Sequence, residues 1–393
     1  MPQLNETARR NGAGAGKAGG REQGEPMEKA KVYFADLRAD DDENLQTKLE
    51  RLVRTAGIGN IDFKRKYAAI KMHFGELGNL AFLRPNFAWT VVNAIKDLGG
   101  KPFLTDSNTL YVGGRKNALD HLETAYLNGF SPFSTSCHII IADGLKGTDE
   151  IEVPVPGGEL VAKAKIGRAI MDADVLVSLT HFKCHEQTGI GGVLKNIGMG
   201  CGSRAGKMDM HGAGAAEVDG ECIGCGKCLM VCAHNALVLD GGKAHIDPGR
   251  CIGCGRCLTN CPVDAISSVD RQNFDILNKK IVEYAAAALH GRPHFHISLV
   301  MDVSPYCDCH SANDVPIVAN IGMFASPDPV ALDAACADAV NRQPPFPGSL
   351  LEGWAGRGAD HFSSVTPGTN WRVGIEHAAK LGVGNPEYEL IVI

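Results

Sequence analysis

Cys222-Ile-Gly-Cys225-Gly-Lys-Cys228-Leu-Met-Val-Cys232 is followed, 29 residues on, by Cys251-Ile-Gly-Cys254-Gly-Arg-Cys257-Leu-Thr-Asn-Cys261-Pro262. Each run reads C-x2-C-x2-C-x3-C. That spacing wraps three thiolates around one corner of an iron–sulfur cube, while the fourth cysteine reaches the other cube. It predicts two [4Fe–4S] clusters. Cys222, Cys225, Cys228 and Cys261 would hold one, and Cys251, Cys254, Cys257 and Cys232 the second. Zinc and a disulfide framework are the competing readings. Zinc takes four ligands per ion, and C-x2-C-x2-C adds a third thiolate where a zinc ribbon has none. The runs also repeat as wholes: ECIGCGKCLMVCAHNAL aligns without a gap on RCIGCGRCLTNCPVDAI. Their glycines permit the tight turns that converge several thiolates, and leave N–H groups to bond the cluster sulfurs.

Residues 219–268 resemble the bacterial-type two-cluster ferredoxins. One departure is Ala233, where Pro usually follows the fourth cysteine. That Pro shapes backbone and ligates nothing. The segment carries 4 basic and 5 acidic residues, near neutrality, as suits a module fixed to its own enzyme body.

Outward from the runs the pattern changes. Ala68–Ile70, Pro102–Leu104, His138–Ile141 and Val175–Leu179 read as buried strands, Phe87–Leu98 and Ala162–Met171 as helices. After the runs come a helix at Asp275–Leu289 and strands at His296–Met301 and Pro316–Ile321. A helix with Ser326 as N-cap and Pro327 at its first position runs to about Val340. Ile375–Leu381 reads as a helix and Glu389–Ile393 as a last strand. Strand–helix alternation predicts an α/β fold: a mainly parallel sheet body, residues 31–218 plus 270–393, with a two-cluster ferredoxin-like α+β module inserted at 219–269. Residues 1–30 read as a disordered tail, polar and Gly/Ala-rich, without the apolar core of a secretory signal. Met27, just before the first strand at Lys31–Phe34, is a candidate start.

At 393 residues and 44% hydrophobic content the chain can bury a large core. A net charge of −6 argues against general nucleic-acid affinity, and no apolar run approaches the ~20 residues of a membrane span. Fourteen cysteines without a signal peptide predict a reducing, cytoplasmic setting. The oligomeric state is not legible.

The candidate site lies just before the module. His181-Phe-Lys183-Cys184-His185 directly follows a strand and leads into a glycine-rich stretch with Gly191, Gly192, Lys195, Asn196, Cys201, Lys207 and His211. Ligands of open α/β sheets sit at the carboxyl ends of strands. Either the glycines only turn the chain tightly, or Gly191, Gly192 and Asn196 cradle an anion that Lys195 and Lys207 neutralise. His181 and His185 would share a face if the segment were helical. They, Lys183 and Lys195 are candidates for acid–base chemistry or anion binding. Cys307-Asp308-Cys309-His310 follows another strand. Its two thiols, with Cys201 if the loops meet, could hold a third metal or form a redox dithiol. Cys137 and Cys336 read as core.

These residues resemble the family known as "domain of unknown function 362", described as iron–sulfur-centre proteins. The resemblance rests on Lys71-Met-His73-Phe-Gly75-Glu76, Thr105-Asp106-Ser-Asn108, Ala142-Asp143-Gly144, His181-Phe-Lys183, Gly191-Gly192-x-x-Lys195-Asn196-x-Gly198-Met199-Gly200, Cys307-Asp308-Cys309 and Ser326-Pro-Asp328. It covers about residues 30–393. Cys184 departs from it, standing where a small residue is usual. The resemblance implies a fold and cofactors and leaves the reaction open. Three functions fit: an oxidoreductase fed through the clusters by a ferredoxin-like partner, an electron-transfer subunit docking a larger oxidoreductase, and a metal or cluster maturation protein. The first predicts a site where the 71–76, 181–211 and 307–309 segments meet.

Overall fold

A computed structural model describes residues 28–111, 113–212, 216–251, 253–268, 274–354 and 360–393. Most of the expected tail and the start at Met27 lie outside the described residues. The main sheet has eight strands: β1 (Ala30–Asp36), β2 (Tyr67–Lys71), β3 (Lys101–Asp106), β4 (Ile139–Ile141), β5 (Val175–His181), β6 (His294–Val300), β7 (Gly322–Ser326) and β8 (Tyr388–Val392). Their spatial order is β8-β1-β7-β6-β5-β2-β3-β4. Only β7 runs against its neighbours, β1 and β6; the other pairs are parallel among the described residues. β5, Val-Leu-Val-Ser-Leu-Thr-His, is buried along its whole length, as a parallel sheet covered on both faces requires. Helices Leu45–Thr55 and Pro85–Asp97 pack together against one side of the sheet, and Val193–Cys201, Phe274–Leu289, Pro329–Asn341 and Trp371–Lys380 form a second group.

Three sequence expectations move. Lys163–Gly167 is a strand, hairpinned to Glu150–Pro154, and helix covers only Arg168–Asp172. Lys163, Ala164, Lys165 and Ile166 alternate with period two, and Lys163 pairs with Glu152 across the strands at 3.2 Å. The strand expected at Pro316–Ile321 lies at Gly322–Ser326, where every residue is buried between β1 and β6. Pro316 has no N–H to give a ladder. The following helix begins two residues later than expected: Asp328 caps it, accepting from the N–H groups of Val330 and Ala331, and Pro329 takes the first position. Ser-Pro and Asp-Pro both read as helix starts, and the carboxylate takes the role here.

β2, β3, β5 and β6 are mutually parallel, so the segments after Lys71, Asp106, His181 and Val300 leave the sheet at one edge. There a cavity of about 920 Å³ opens.

Residues 216–268 form a smaller unit. Ala216–Val218 pairs antiparallel with Ile266–Ser268, and Leu237–Asp240 with Lys243–Ile246. Each cysteine run enters a short helix, Lys227–Val231 or Arg256–Asn260. The β-α-β-β-α-β order mirrors the sequence repeat. Its core gathers Cys228, Leu237, Cys257, Leu258 and Ile266 with Leu110 and Met208 of the body. Lys116 pairs with Asp264 across the same joint.

Candidate functional site

The floor of the cavity is a buried ion network. Lys71, at the end of β2, puts its ammonium 2.9 Å from an Asp106 carboxylate oxygen and donates to Asn196 Oδ1 at 2.9 Å. Arg115, almost wholly enclosed, donates from Nε to Glu76 Oε2 at 3.1 Å. The Gly114 N–H donates to the other Glu76 oxygen at 2.6 Å. Burial alone would push the Asp106 carboxyl up. The Lys71 ammonium first, and the Arg115 guanidinium with it, overrule burial and hold the group below the usual range. Burial, and then Arg115, keep His73 well below the ordinary imidazole value, so it faces the cavity neutral.

Cys307-Asp308-Cys309-His310 is a turn closed by the His310 N–H donating to the Cys307 carbonyl at 3.0 Å. Asp308 anchors it from beneath. Its carboxylate meets His181 Nδ1 at 2.9 Å and the Lys183 ammonium at 3.1 Å. Burial would raise the Asp308 carboxyl; His181 and Lys183 instead hold it well down. Both cysteine side chains thereby point to the cavity wall. The Cys309 thiol donates to Cys307, and this bond, with Lys195 and Lys183 against the opposing effect of burial, holds Cys307 well below the usual thiol range. Lys195 Nζ stands 3.8 Å from Cys307 Sγ.

The glycine-rich stretch is helical rather than a loop: Val193–Cys201 and Arg204–Gly212. Its glycines serve close approach. A β-carbon on Gly198 would collide with the Ile281 backbone oxygen of the neighbouring helix, and one on Gly200 with the Lys71 ammonium. Gly192 abuts Asp333, whose carboxylate accepts from the N–H groups of Val193 at 2.6 Å and Leu194 at 2.9 Å. Those amides are therefore occupied and do not form an open anion cradle. Asn196 is tied to Lys71 and to Thr180 Oγ1, the latter at 2.9 Å. Lys207 lines the cavity and donates to the Gly202 carbonyl; burial brings it down to about 8. Among the described residues neither Lys195 nor Lys207 has a carboxylate partner within ion-pair distance.

The three predicted segments do meet. Lys183, His185, Gly191, Gly192, Lys195, Asn196, Lys207, Cys307 and Cys309 all line the cavity. His181 does not. It ends β5 instead of starting a helix, so the expected shared face with His185 is lost. Its Nδ1 meets Asp308 and its Nε2 the Met301 carbonyl at 2.8 Å, which makes it a strut for the turn. Cys201 is also absent from the wall, buried in the body core with Cys137, Cys184 and Cys336. His185, at the end of a short strand, accepts from the Gln187 N–H at 3.2 Å through Nδ1. Arg115, Tyr111 and Glu186 line the cavity without having been picked out in the sequence. Arg115 sits in Gly113-Gly114-Arg115-Lys116, where nothing local marks a buried guanidinium.

In the smaller unit, Cys232 of the first run lies with Cys251, Cys254 and Cys257 of the second around one small void. Cys222, Cys228 and Cys261 share the unit's core. Backbone N–H groups donate to sulfur at Cys222 (3.3 Å, from Ala244), Cys232 (3.3 Å, from Ala236) and Cys261 (3.2 Å, from Ala265). Gly224 and Gly226 of one run have φ of 65° and 72°, and Gly253 and Gly255 of the other 69° and 68°. A side chain is strained at such angles, so each loop can curl its thiols inward. Burial, then the charges of Cys254 and Cys251, push Cys257 up to about 12. A cationic centre among these thiols would reverse that. The donor set therefore fits metal.

The family model described as "Domain of unknown function (DUF362)" matches residues 68–338. The chain belongs to that family. The DUF362 match spans the floor network, the cysteine turn and both cysteine runs. Two solved structures are similar to this chain. One is the lactate racemase apoprotein from Thermoanaerobacterium thermosaccharolyticum, at 13% identity over 71% of this chain and 53% of that one, with a TM-score of 0.35. The other is a protein from Thermotoga maritima, at 12% identity over 67% and 52%, with a TM-score of 0.32. The chain spans about half the length of each. No curated protein matches it.

Proposed function

We propose that this protein is an iron–sulfur oxidoreductase, with two [4Fe–4S] clusters in the cysteine runs serving a cavity that holds an anionic substrate. The observation that carries this reading is the meeting of Cys232 with Cys251, Cys254 and Cys257 around one void. Only cross-ligation between runs asks for that exchange of a fourth cysteine. The other set would be Cys222, Cys225, Cys228 and Cys261. When bound, such clusters supply one-electron transfers.

The chain's own residues do the rest. Lys195 and Lys207 bind negative charge on the substrate. Lys71 and Arg115, each neutralised by its carboxylate, give the floor a fixed shape. Lys183 and His181 orient the Asp308 turn so that Cys307 faces the bound molecule, and Lys207 can hold or release a proton near neutral pH. The smaller unit supports the reading by its position. Gly255, inside the second run, packs on Arg204, and Ser267 lines the cavity itself. Ile223 is exposed two residues from Cys225, itself exposed, a surface suited to a redox partner such as a ferredoxin.

The test is anaerobic purification with iron and sulfide quantitation and electron paramagnetic resonance. The native chain should carry about eight iron atoms. Cys225→Ala should lose about half of them, and Cys309→Ala none. Equal loss in the two variants would break the division of the cysteines.

A further inference from the structure

We propose that Cys307 and Cys309 form a redox-active dithiol that exchanges with a small anionic disulfide bound in the cavity, Cys307 attacking and Cys309 resolving. The proposal rests on the redox reading of this cavity and names its substrate class, but it does not need the clusters.

Geometry carries it. The turn closed by His310 N–H and Cys307 C=O folds Cys307 and Cys309 onto one side. Their sulfurs and a His185 nitrogen lie within 4.8 Å of one another. The two α-carbons are two steps apart in a turn, about 5–7 Å, a span a disulfide tolerates. Both residues line the cavity, Cys309 partly exposed and Cys307 buried in the wall, whereas Cys137, Cys184, Cys201 and Cys336 do not line it.

The Lys195 ammonium donates toward Cys307 Sγ at 3.8 Å, and Cys309 Sγ lies close beside it. His185 would be the third ligand of a metal held here. Its Nδ1 accepts from the N–H groups of Gln187 and Thr188, at 3.2 and 3.4 Å. Those bonds occupy the Nδ1 lone pair, so that nitrogen is not free to ligate. A cation held against one thiol of a close pair suits a nucleophile. Lys195 and Lys207, without carboxylate partners, select negative charge on the incoming molecule.

The exchange balances as follows. The Cys307 thiolate attacks one sulfur of a disulfide RSSR, forming a Cys307–SR mixed disulfide and releasing RS⁻. Cys309 then attacks Cys307 Sγ, closing the 307–309 disulfide and releasing the second RS⁻. The Cys309 proton leaves with one thiolate and a solvent proton meets the other. The dithiol is oxidised by two electrons and RSSR is reduced to two RSH.

The experiment uses the full chain, purified anaerobically and treated with oxidised glutathione, which is anionic, or cystamine, which is cationic. The native chain should become lighter by two hydrogens, with fragmentation placing the bond between Cys307 and Cys309; this needs no substitution. Cys309→Ser should trap one glutathione on Cys307, Cys307→Ser should trap none on Cys309, and cystamine should react about tenfold more slowly. The proposal is overturned if no 307–309 bond forms, if Cys307→Ser is modified as readily as Cys309→Ser, or if the native chain holds a stoichiometric non-iron metal that must be removed before either thiol reacts. Iron content is read on the same samples. Its loss in the native chain would count against the clusters and leave the dithiol standing.

Discussion

Replacing Asp308 by asparagine keeps the shape of the side chain and removes its charge. In the native protein that carboxylate is fully enclosed, 3.1 Å from the Lys183 ammonium and 2.9 Å from His181. The variant leaves a buried ammonium without a counter-charge, and breaking a buried pair in this way costs about 3–5 kcal/mol. Unfolding entropy is about 2.1 cal/mol/K per residue, so for 393 residues the melting temperature should fall by about 4–6 °C. The assay is thermal unfolding by circular dichroism, with the double variant Asp308→Asn/Lys183→Met beside each single one. Removing both charges leaves nothing uncompensated, so the double variant should be more stable than the sum of the singles by about 1–3 kcal/mol. The pH dependence has a definite sign. The folded-state value of Asp308 is depressed, so its stabilisation is fully present above the unfolded carboxyl value of about 3.9 and is lost as pH falls toward the folded one. The gap between native protein and Asp308→Asn should therefore be constant from neutral pH to about 4 and close below it. Additive single and double variants, or a gap that closes near pH 6, would refute the reasoning.

Two further outcomes follow from the same geometry. Gly198→Ala drives a methyl into the Ile281 backbone of the neighbouring helix; it should cost about 1–3 kcal/mol by overpacking, read as a lower melting temperature, and a neutral effect would show the helices are not in that contact. Lys207, lowered to about 8 by burial, should take up a proton when an anion binds beside it. Isothermal titration with oxalate should show affinity falling as pH rises through 8, and Lys207→Met should abolish that dependence.

Much of the fold was legible because periodicity is local. β5 reads as buried strand from seven consecutive residues, and the helix at 274–289 from its alanine-rich run. The errors fell where two local signals compete. Ser326-Pro327 and Asp328-Pro329 both resemble helix starts, and only the packing of β7 between β1 and β6 selects the second. At Lys163–Gly167 five residues fit either period, and the Glu150–Pro154 partner makes them a strand. The glycines at 191–206 look from sequence like a loop; in three dimensions several are the sites where a helix must approach Lys71 and the Ile281 backbone.

The two cysteine runs are visible in the sequence itself, because C-x2-C-x2-C-x3-C is a spacing of a few consecutive backbone steps. The DUF362 segments are likewise visible one by one. What no segment contains is the cavity. Lys71, Arg115, Lys195 and Cys307 are far apart along the chain and meet because four parallel strands end at one edge of the sheet. The difference between His185 on the wall and His181 beneath it, and the lowered range of Cys307 beside Lys195, depend on neighbours supplied from elsewhere in the chain. Charge, burial and hydrogen bonding act through space, so those roles appear only when the sheet is assembled.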